Sequence, residues 1–555
     1  KKLSKYSSTV NNGFIYYESG NLEDSERTFR RILMGDISCA EAYLGMLLFS
    51  EGKEQEEYHG KFIRYASEDM RELEIVLCTS KIKEKFLDIY AEIQDKECFK
   101  TIIELDKNDI SFHAMYLAVK KFKDTEILEF LLEHGANPNN FKITESEYGK
   151  GQECILDICV RNEENIDKVR ILIKYNVDLN YINKGYYSET GSYYERNALC
   201  TAIRFEQLEM VKLLLKNNID IDCIDMTHNQ YGKDMYNALS LAIQYTKNVE
   251  MVHLLLAGGV DINYITKGYL DSGDYYERNI LGIAIRYEQL EIVKLLLKNN
   301  VDINGIDITR NQYGESRYNV LSLAVSYTKN LEIVCELLKR GADVNYINKG
   351  YSGDSGIYFE KTALVEAVNY GLVDIVKILL EHGANPNNIH IIGKSNYSVL
   401  GCSIWNKKDF EMARLLVEYG ADVNYVDKWY SDNKYYERTP LCHAIVEKNI
   451  EVIEFLLKYG ANPSQVNEFI SVYDGVECKG PALFFAIMWS QLDGTDVEMI
   501  EILLKYKSVL DGTIIFDGKE YIMKKFPINK MKIDERILAR LQSAGWKGRG
   551  MLGIF

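Results

Sequence analysis

The sequence predicts a predominantly α solenoid of about ten helix–turn–helix units that carry extended β-hairpin fingers, preceded by an all-helical region. Three observations predict it. The first is internal repetition. Tyr181-Ile-Asn-Lys-Gly-Tyr186 returns as Tyr264-Ile-Thr-Lys-Gly-Tyr269 and Tyr346-Ile-Asn-Lys-Gly-Tyr351, and a related copy runs from Tyr425 to Arg438. A second block type alternates with it, Asn229-Gln-Tyr-Gly232 and Asn311-Gln-Tyr-Gly314. The second observation is an anchor, a leucine-like residue with a small residue three positions later. The anchors are Met115, Leu156, Leu199, Leu239, Leu281, Leu321, Leu364, Leu400, Leu441 and Leu483. Successive anchors stand 36 to 43 residues apart. The third is helical periodicity inside each unit: Leu208, Val211, Leu214 and Leu215 share one face, with Lys212 and Lys216 outside it.

Each unit therefore reads as helix, turn, helix, loop and finger. A shorter helix around Leu199 to Phe205 precedes the amphipathic one. Gly341, Gly383, Gly420 and Gly460 end helix pairs in a left-handed conformation, with Asn218 and Asn300 substituting for glycine. Turn residues sit midway between aromatic-rich arms at Gly191, Gly232, Asp271 to Gly273, Gly353-Asp354 and Asp432-Asn433. These predict long hairpins.

The residues carry a family resemblance. Thr439-Pro-Leu-Cys-His-Ala444 resembles the T-P-L-H-x-A signature of ankyrin repeats. Ile378 to Asn385 and Leu337 to Asn345 resemble the L-L-x-x-G-A-D-V-N segment of the same family. The resemblance covers residues 106–510, and it implies a module that binds protein partners. The unit spacing exceeds the family's ~33 residues, and the surplus falls in the fingers. Within residues 1–105 a short stretch, 11–48, resembles a tetratricopeptide repeat through Gly13, Tyr16, Gly20, Ser25, Phe29 and Ile32. Residues 511–555 read as a hairpin from Thr513 to Met523 and a helix from Asp534 to Ala544 that cap the exposed end of the array.

Composition limits function. The 555 residues include 66 Lys and Arg against 82 Asp and Glu, a net charge of −16 that disfavours nucleic-acid binding. Lys524, Lys525, Lys530, Lys532, Arg536 and Arg540 form a C-terminal basic run, read as a solvated face. Eleven scattered cysteines without a CxxC pair suit a reducing cytoplasm, with a secreted effector as the alternative. No run of 18 apolar residues is present, so no membrane span is expected. Lys1 is not a start methionine, consistent with a removed or omitted upstream segment.

The eight histidines show no HxxH or HExxH spacing, and His443 reads as a structural hydrogen-bonding residue. No phosphate-binding loop and no nucleophile elbow occurs. The expectation is a monomeric, non-catalytic scaffold without metal or cofactor. A regulatory or self-assembling array, or a bacterial effector directed at a host, is the alternative. The site is expected among the forty tyrosines. Tyr194, Tyr276, Phe359 and Tyr436 form one finger file and are expected to face outward, with Tyr187 and Trp429 beside them. The Tyr193, Tyr275, Tyr358 and Tyr435 file would then pack between fingers, because adjacent strand residues point to opposite faces. Glu195-Arg196, Glu277-Arg278 and Glu437-Arg438 are expected to form ion pairs between fingers. A partner would be gripped by finger tips and the concave helix face.

Overall fold

A computed structural model describes residues 7–66, 80–104, 110–146, 149–187, 191–352, 355–407, 410–431, 434–470, 477–489, 496–506, 510, 512–516, 518–526 and 535–547. The chain forms two compact units, residues 1–261 and 262–555.

Unit one begins with the helices Ser7–Glu18, Leu22–Gly35, Ala40–Leu47 and Gly52–Tyr65, followed by Ser80–Glu92 and Lys96–Glu104. Phe29 explains two glycines here. Its fully buried ring lies between Gly13 and Gly45, where an added Cβ would come within 2.6 and 2.3 Å of ring atoms. Val10, Ile32, Ala42 and Met46 complete that core. Four helix pairs follow: Phe112–Lys120 with Glu126–Glu133, Ile155–Val160 with Ile166–Lys174, Ala198–Arg204 with Leu208–Lys216, and Ala238–Tyr245 with Val249–Ala257. Their fingers are Phe141–Ser146 with Gly149–Cys154, Asn183–Tyr186 with Tyr193–Arg196, and Ile224–His228 with Lys233–Asn237. Adjacent fingers also pair with one another, antiparallel, at Gln152 with Lys184 and at Tyr194 with Thr227.

Unit two repeats the plan. Fingers Ile265–Tyr269 with Tyr275–Asn279, Ile306–Asn311 with Gly314–Asn319, and Asn348–Tyr351 with Tyr358–Lys361 alternate with helix pairs. The fingers Ile389–Ile392 with Ser395–Ser398 and Asp427–Ser431 with Lys434–Arg438 continue the series. The first helices are Ile280–Arg286, Val320–Leu323 continued through Ala324–Thr328, Ala363–Tyr370, Val399–Lys407, Pro440–Val446 and Ala482–Trp489. Together with unit one this makes ten pairs among the described residues. The C-terminal hairpin Thr513–Phe516 with Lys519–Ile522 packs Tyr521 and Phe516 on buried Phe526, and the helix Glu535–Ser543 closes the chain.

The anchor rule has a packing cause. Ala202 and Ala242 in unit one, and Ala284, Ala324, Ala367, Ser403, Ala444 and Ala486 in unit two, are fully buried where successive first helices meet. A larger side chain would force those backbones apart. Caps set the helix starts. Asn197, Asn237, Asn279, Asn319, Thr362 and Thr439 each accept a hydrogen bond from the amide three residues later. Gly341, Gly383, Gly420 and Gly460 are left-handed at φ of 85 to 92°, and Asn218 and Asn300 adopt φ of 59 and 58°. Left-handed residues also end the first helices, where glutamate or lysine takes the place of glycine at Glu206, Lys247, Glu288, Lys329 and Lys448.

An exposed ladder of side chain to backbone bonds joins consecutive repeats. In unit one Asn139 accepts from the Asp178 amide at 2.6 Å and Asn180 from Asp220 at 2.8 Å. In unit two the rungs are Asn263 to Asp302, Asn304 to Asp343, Asn345 to Asn385, Asn387 to Asp422 and Asn424 to Asn462. Their lengths run from 2.7 to 3.0 Å.

Candidate functional site: the aromatic face of the fingers and first helices

A buried polar residue at the start of a finger's first strand fixes that finger against the preceding repeat at Asn183, Asp307, Asn348 and Asp427. Asn183 accepts from the Cys154 amide at 3.3 Å and donates to Asp157 at 3.0 Å. Asp307 accepts from the Asn279 amide at 3.0 Å and from its Nδ2 at 2.7 Å. Asn348 accepts from the Asn319 amide at 2.8 Å and donates to the Lys361 carbonyl at 3.1 Å. Asp427 accepts from the Ser398 amide at 2.6 Å and stands 3.0 Å from Nε2 of His443, which makes His443 a structural residue. Burial without a partner would be costly for each of these groups. Burial pushes the Asp307 carboxyl upward, and the Arg286 guanidinium beside it acts in the opposite direction.

Arginines carry this buried layer outward to aromatic rings. Arg204 donates to both carboxylate oxygens of Asp225, at 2.7 and 2.9 Å, and lies 4.5 Å over the Tyr245 ring. Arg286 repeats the arrangement with Asp307 and Tyr327, and Lys329 stands 4.8 Å over Tyr370. The rings themselves are open to solvent. Phe205 and Tyr245 in unit one, and Tyr287, Tyr327, Tyr370 and Trp405 in unit two, are 38 to 49% exposed. Each of these except Trp405 stands six residues after its leucine anchor; Trp405 stands five after Leu400. Within each unit they form an aromatic row along the C-terminal ends of the first helices. The six-residue offset from the anchor, kept at all of these rings but Trp405, is written in the sequence.

The expected finger file lies differently from its prediction. Tyr276 and Tyr436 are only 4% and 6% exposed, so the outward-facing expectation is corrected at both. The reason is local. Gly185, Gly268 and Gly350 stand opposite Tyr194, Tyr276 and Phe359 in the hairpins. A Cβ on Gly185 would lie 2.6 Å from the Tyr194 hydroxyl, so the ring folds over the glycine. A cation then covers the ring: Arg196 lies 4.0 Å over Tyr194, Arg278 4.2 Å over Tyr276, and Lys361 4.9 Å over Phe359. In the fourth copy Trp429 stacks on Tyr436 at 5.3 Å, beneath Arg438. Tyr187, Tyr194, Phe359 and Trp429 are half-buried. Tyr187 and Tyr194 lie 5.1 Å apart and, with Arg161, Arg196 and Phe205, line a cavity of about 210 Å³.

On the opposite finger face the Tyr193, Tyr275 and Tyr358 hydroxyls donate to Glu195, Glu277 and Glu360 at 2.8, 3.0 and 2.6 Å. Those glutamates pair with Lys184, Arg310 and Lys349 rather than with the adjacent arginines. Glu277 with Arg310 joins neighbouring fingers as expected, whereas the Lys184 and Lys349 pairs lie within their own hairpins, so among the described glutamates the Glu–Arg ladder between fingers is present at that rung and not at Glu195 or Glu360. Tyr231, Tyr313 and Tyr430 near the finger tips are exposed. The hairpin midpoints Gly353-Asp354 and Asp432-Asn433, and Lys530 and Lys532 of the basic run, lie outside the described residues. In that run Arg540 pairs with Glu501 at 2.7 Å.

Among the described residues one group of potential metal ligands is brought together, His59, Asp95 and Cys98. No described helix is long and apolar enough to cross a membrane.

Stacked helix pairs with hairpins at their junctions define a repeat protein, and the comparisons place it. The family model for ankyrin repeats (3 copies) matches residues 115–225, 156–266, 224–307 and 321–427, and that for a single ankyrin repeat matches 436–468. The chain belongs to the ankyrin-repeat family. The ankyrin repeat protein nuc-2 of Neurospora crassa is 32% identical over 111 residues, 18% of this chain and 9% of that one. Two putative ankyrin repeat proteins of Acanthamoeba polyphaga mimivirus are similar. L371 is 32% identical over 96 residues, covering 17% of this chain and 11% of that one. R664 is 33% identical over 115 residues, covering 20% and 67%. The chain thus spans about a tenth of the length of nuc-2 and L371. Among solved structures, the ankyrin repeat domain of human ASB11 aligns with 48% of this chain and 98% of its own, at 19% identity and a TM-score of 0.31. That of Bcl-3 aligns with 47% and 97%, at 22% identity and a TM-score of 0.33. Ankyrin repeats generally mediate protein–protein interaction.

Proposed function

We propose that this chain is a non-catalytic scaffold that holds a protein partner on the aromatic row of its first helices and on its finger tips. The observation that carries the reading is the recurrence of a solvent-open ring once per repeat, at Phe205 and Tyr245 in unit one and at Tyr287, Tyr327 and Tyr370 in unit two, three of them braced by a cation. A braced tyrosine or phenylalanine offers a large contact area at little cost in rotamer entropy, which suits an interface hot spot. The exposed tip residues Tyr231, Tyr313 and Tyr430 extend the surface. The half-buried Tyr187, Tyr194, Phe359 and Trp429 contribute edges along the fingers, and buried Tyr276 and Tyr436 pack within them. The partner is a protein and not a nucleic acid, in keeping with the net charge of −16. Buried free thiols at Cys159, Cys200 and Cys442 favour action in a reducing compartment, and the scaffold acts as a monomer.

The test has two stages. Pull-down with the full chain, followed by mass spectrometry, names a partner, and affinity for the purified partner is then measured for Y287A/Y327A/Y370A. Each truncation is expected to cost ~1–2 kcal/mol of binding while the melting temperature stays close to that of the parent chain. Unchanged affinity in the triple variant overturns the site. A defined oligomer in native mass spectrometry overturns the monomeric scaffold.

A further inference from the structure

We infer that His59, Asp95 and Cys98 form a zinc site in the N-terminal helical region of unit one. The three residues come from two elements. His59 lies on the helix Gly52–Tyr65, Asp95 immediately precedes the helix Lys96–Glu104, and Cys98 lies in the first turn of that helix. One ligand atom from each falls within 4.8 Å of the other two. Zinc bonds are ~2.0–2.1 Å to histidine nitrogen, ~2.0–2.2 Å to carboxylate oxygen and ~2.3 Å to thiolate sulfur. An ion centred in a triangle of this size therefore reaches all three atoms after small side-chain rotations.

The arrangement presents its donors. Asp95 is fixed in place: its amide bonds to the Tyr90 carbonyl at 2.9 Å, and its Oδ1 accepts from the Cys98 amide at 2.9 Å. That leaves Oδ2 turned toward His59. Nε2 of His59 lies 2.9 Å from Oδ2 but off the hydrogen-bond axis, so this nitrogen is buried without an aligned hydrogen-bond partner. The ring is steadied by an edge contact with Tyr90 at 5.7 Å. Cys98 is partly exposed and outside any disulfide. A mixed nitrogen, oxygen and sulfur set selects zinc over the oxygen-seeking calcium and magnesium. On binding, the Cys98 thiol releases its proton to solvent and the thiolate sulfur, the neutral imidazole and the carboxylate take three positions of a tetrahedron. Water completes the fourth. The ion would tie the helix Gly52–Tyr65 to the start of Lys96–Glu104.

Residue spacing could not show this group, because His59 and Asp95 are far apart along the chain and only the fold joins them. The test uses the full chain, stripped with a chelator and titrated with Co²⁺ as a spectroscopic stand-in. One equivalent is expected to give the ligand-field bands of a tetrahedral site together with a sulfur-to-cobalt charge-transfer band, all of which Zn²⁺ removes. Cys98→Ser should abolish the charge-transfer band. His59→Ala should weaken metal affinity by at least about tenfold, with circular dichroism showing that both variants remain folded. Absence of the charge-transfer band in the parent chain, or its persistence in Cys98→Ser, overturns the site.

Discussion

Arg286 donates to the Tyr327 hydroxyl at 2.6 Å while its Nε bonds to the buried Asp307 carboxylate at 3.0 Å. One side chain thus connects a finger root to a solvent-open ring in the next repeat. Removing it takes the bonded cation from buried Asp307, which keeps only the Asn279 hydrogen bonds and the Arg278 charge nearby. Arg286→Ala is expected to lower the stability of unit two by ~3–5 kcal/mol in urea unfolding. Asp307→Asn in the same background should recover part of the loss, so the two changes combine less than additively. Additive costs would show that the pair does not act together.

His390 makes acid a selective stress. Desolvation by burial, the larger cause, and the nearby Lys361 charge push its imidazole from an ordinary value of 6.5 down to about 4. Above pH 6.5 neither folded nor unfolded chain protonates this ring, and its contribution to stability is complete. As pH falls through the window from 6.5 to 4, the unfolded chain takes up a proton that the folded site refuses. Stability therefore drops, by about 3 kcal/mol over the whole window. His390→Gln should flatten that portion of the pH profile; a slope that persists would assign it to other groups.

Backbone strain supplies a stabilising substitution. Glu288 is held at φ 55°, where an L side chain costs ~1 kcal/mol or more, whereas Gly371 meets the same need two repeats on at φ 72°. Glu288→Gly is expected to raise stability by ~1 kcal/mol, and Gly371→Glu to lower it by a similar amount. Thermal or urea unfolding measures both.

Thiol reactivity should report local opening. Burial pushes the Cys159 and Cys442 thiols up to about 12. Both are fully enclosed within first helices. Neither should react with iodoacetamide at neutral pH until its repeat opens. Pulse labelling at increasing urea should therefore give separate midpoints for the two, one per unit, if the units unfold independently.

The sequence and the structure agree where one period dictates one geometry. The anchor with its small partner and the left-handed glycines, with Asn218 and Asn300 in their place, were readable, because each answers a local demand of the helix pair. Which tyrosine file faces outward was not readable. Alternation on a strand separates Tyr193 from Tyr194, yet assigns neither to a side. The decision rests on glycines across the hairpin, such as Gly185, and on the cations that settle over the rings. The aromatic row of Tyr287, Tyr327 and Tyr370 carried a regular signal, but its residues lie at helix ends, where solvent exposure follows from the packing of neighbouring units.

The asparagine ladder keeps its geometry while the chain between its rungs changes length. The rung from Asn387 to Asp422 closes over 35 residues at 2.7 Å, and that from Asn345 to Asn385 over 40 residues at 2.8 Å. Insertions and deletions at a hairpin tip are thus mechanically decoupled from the spine. A lineage carrying this chain can redraw one fingertip after another, trying new recognition surfaces without renegotiating the fold that displays them.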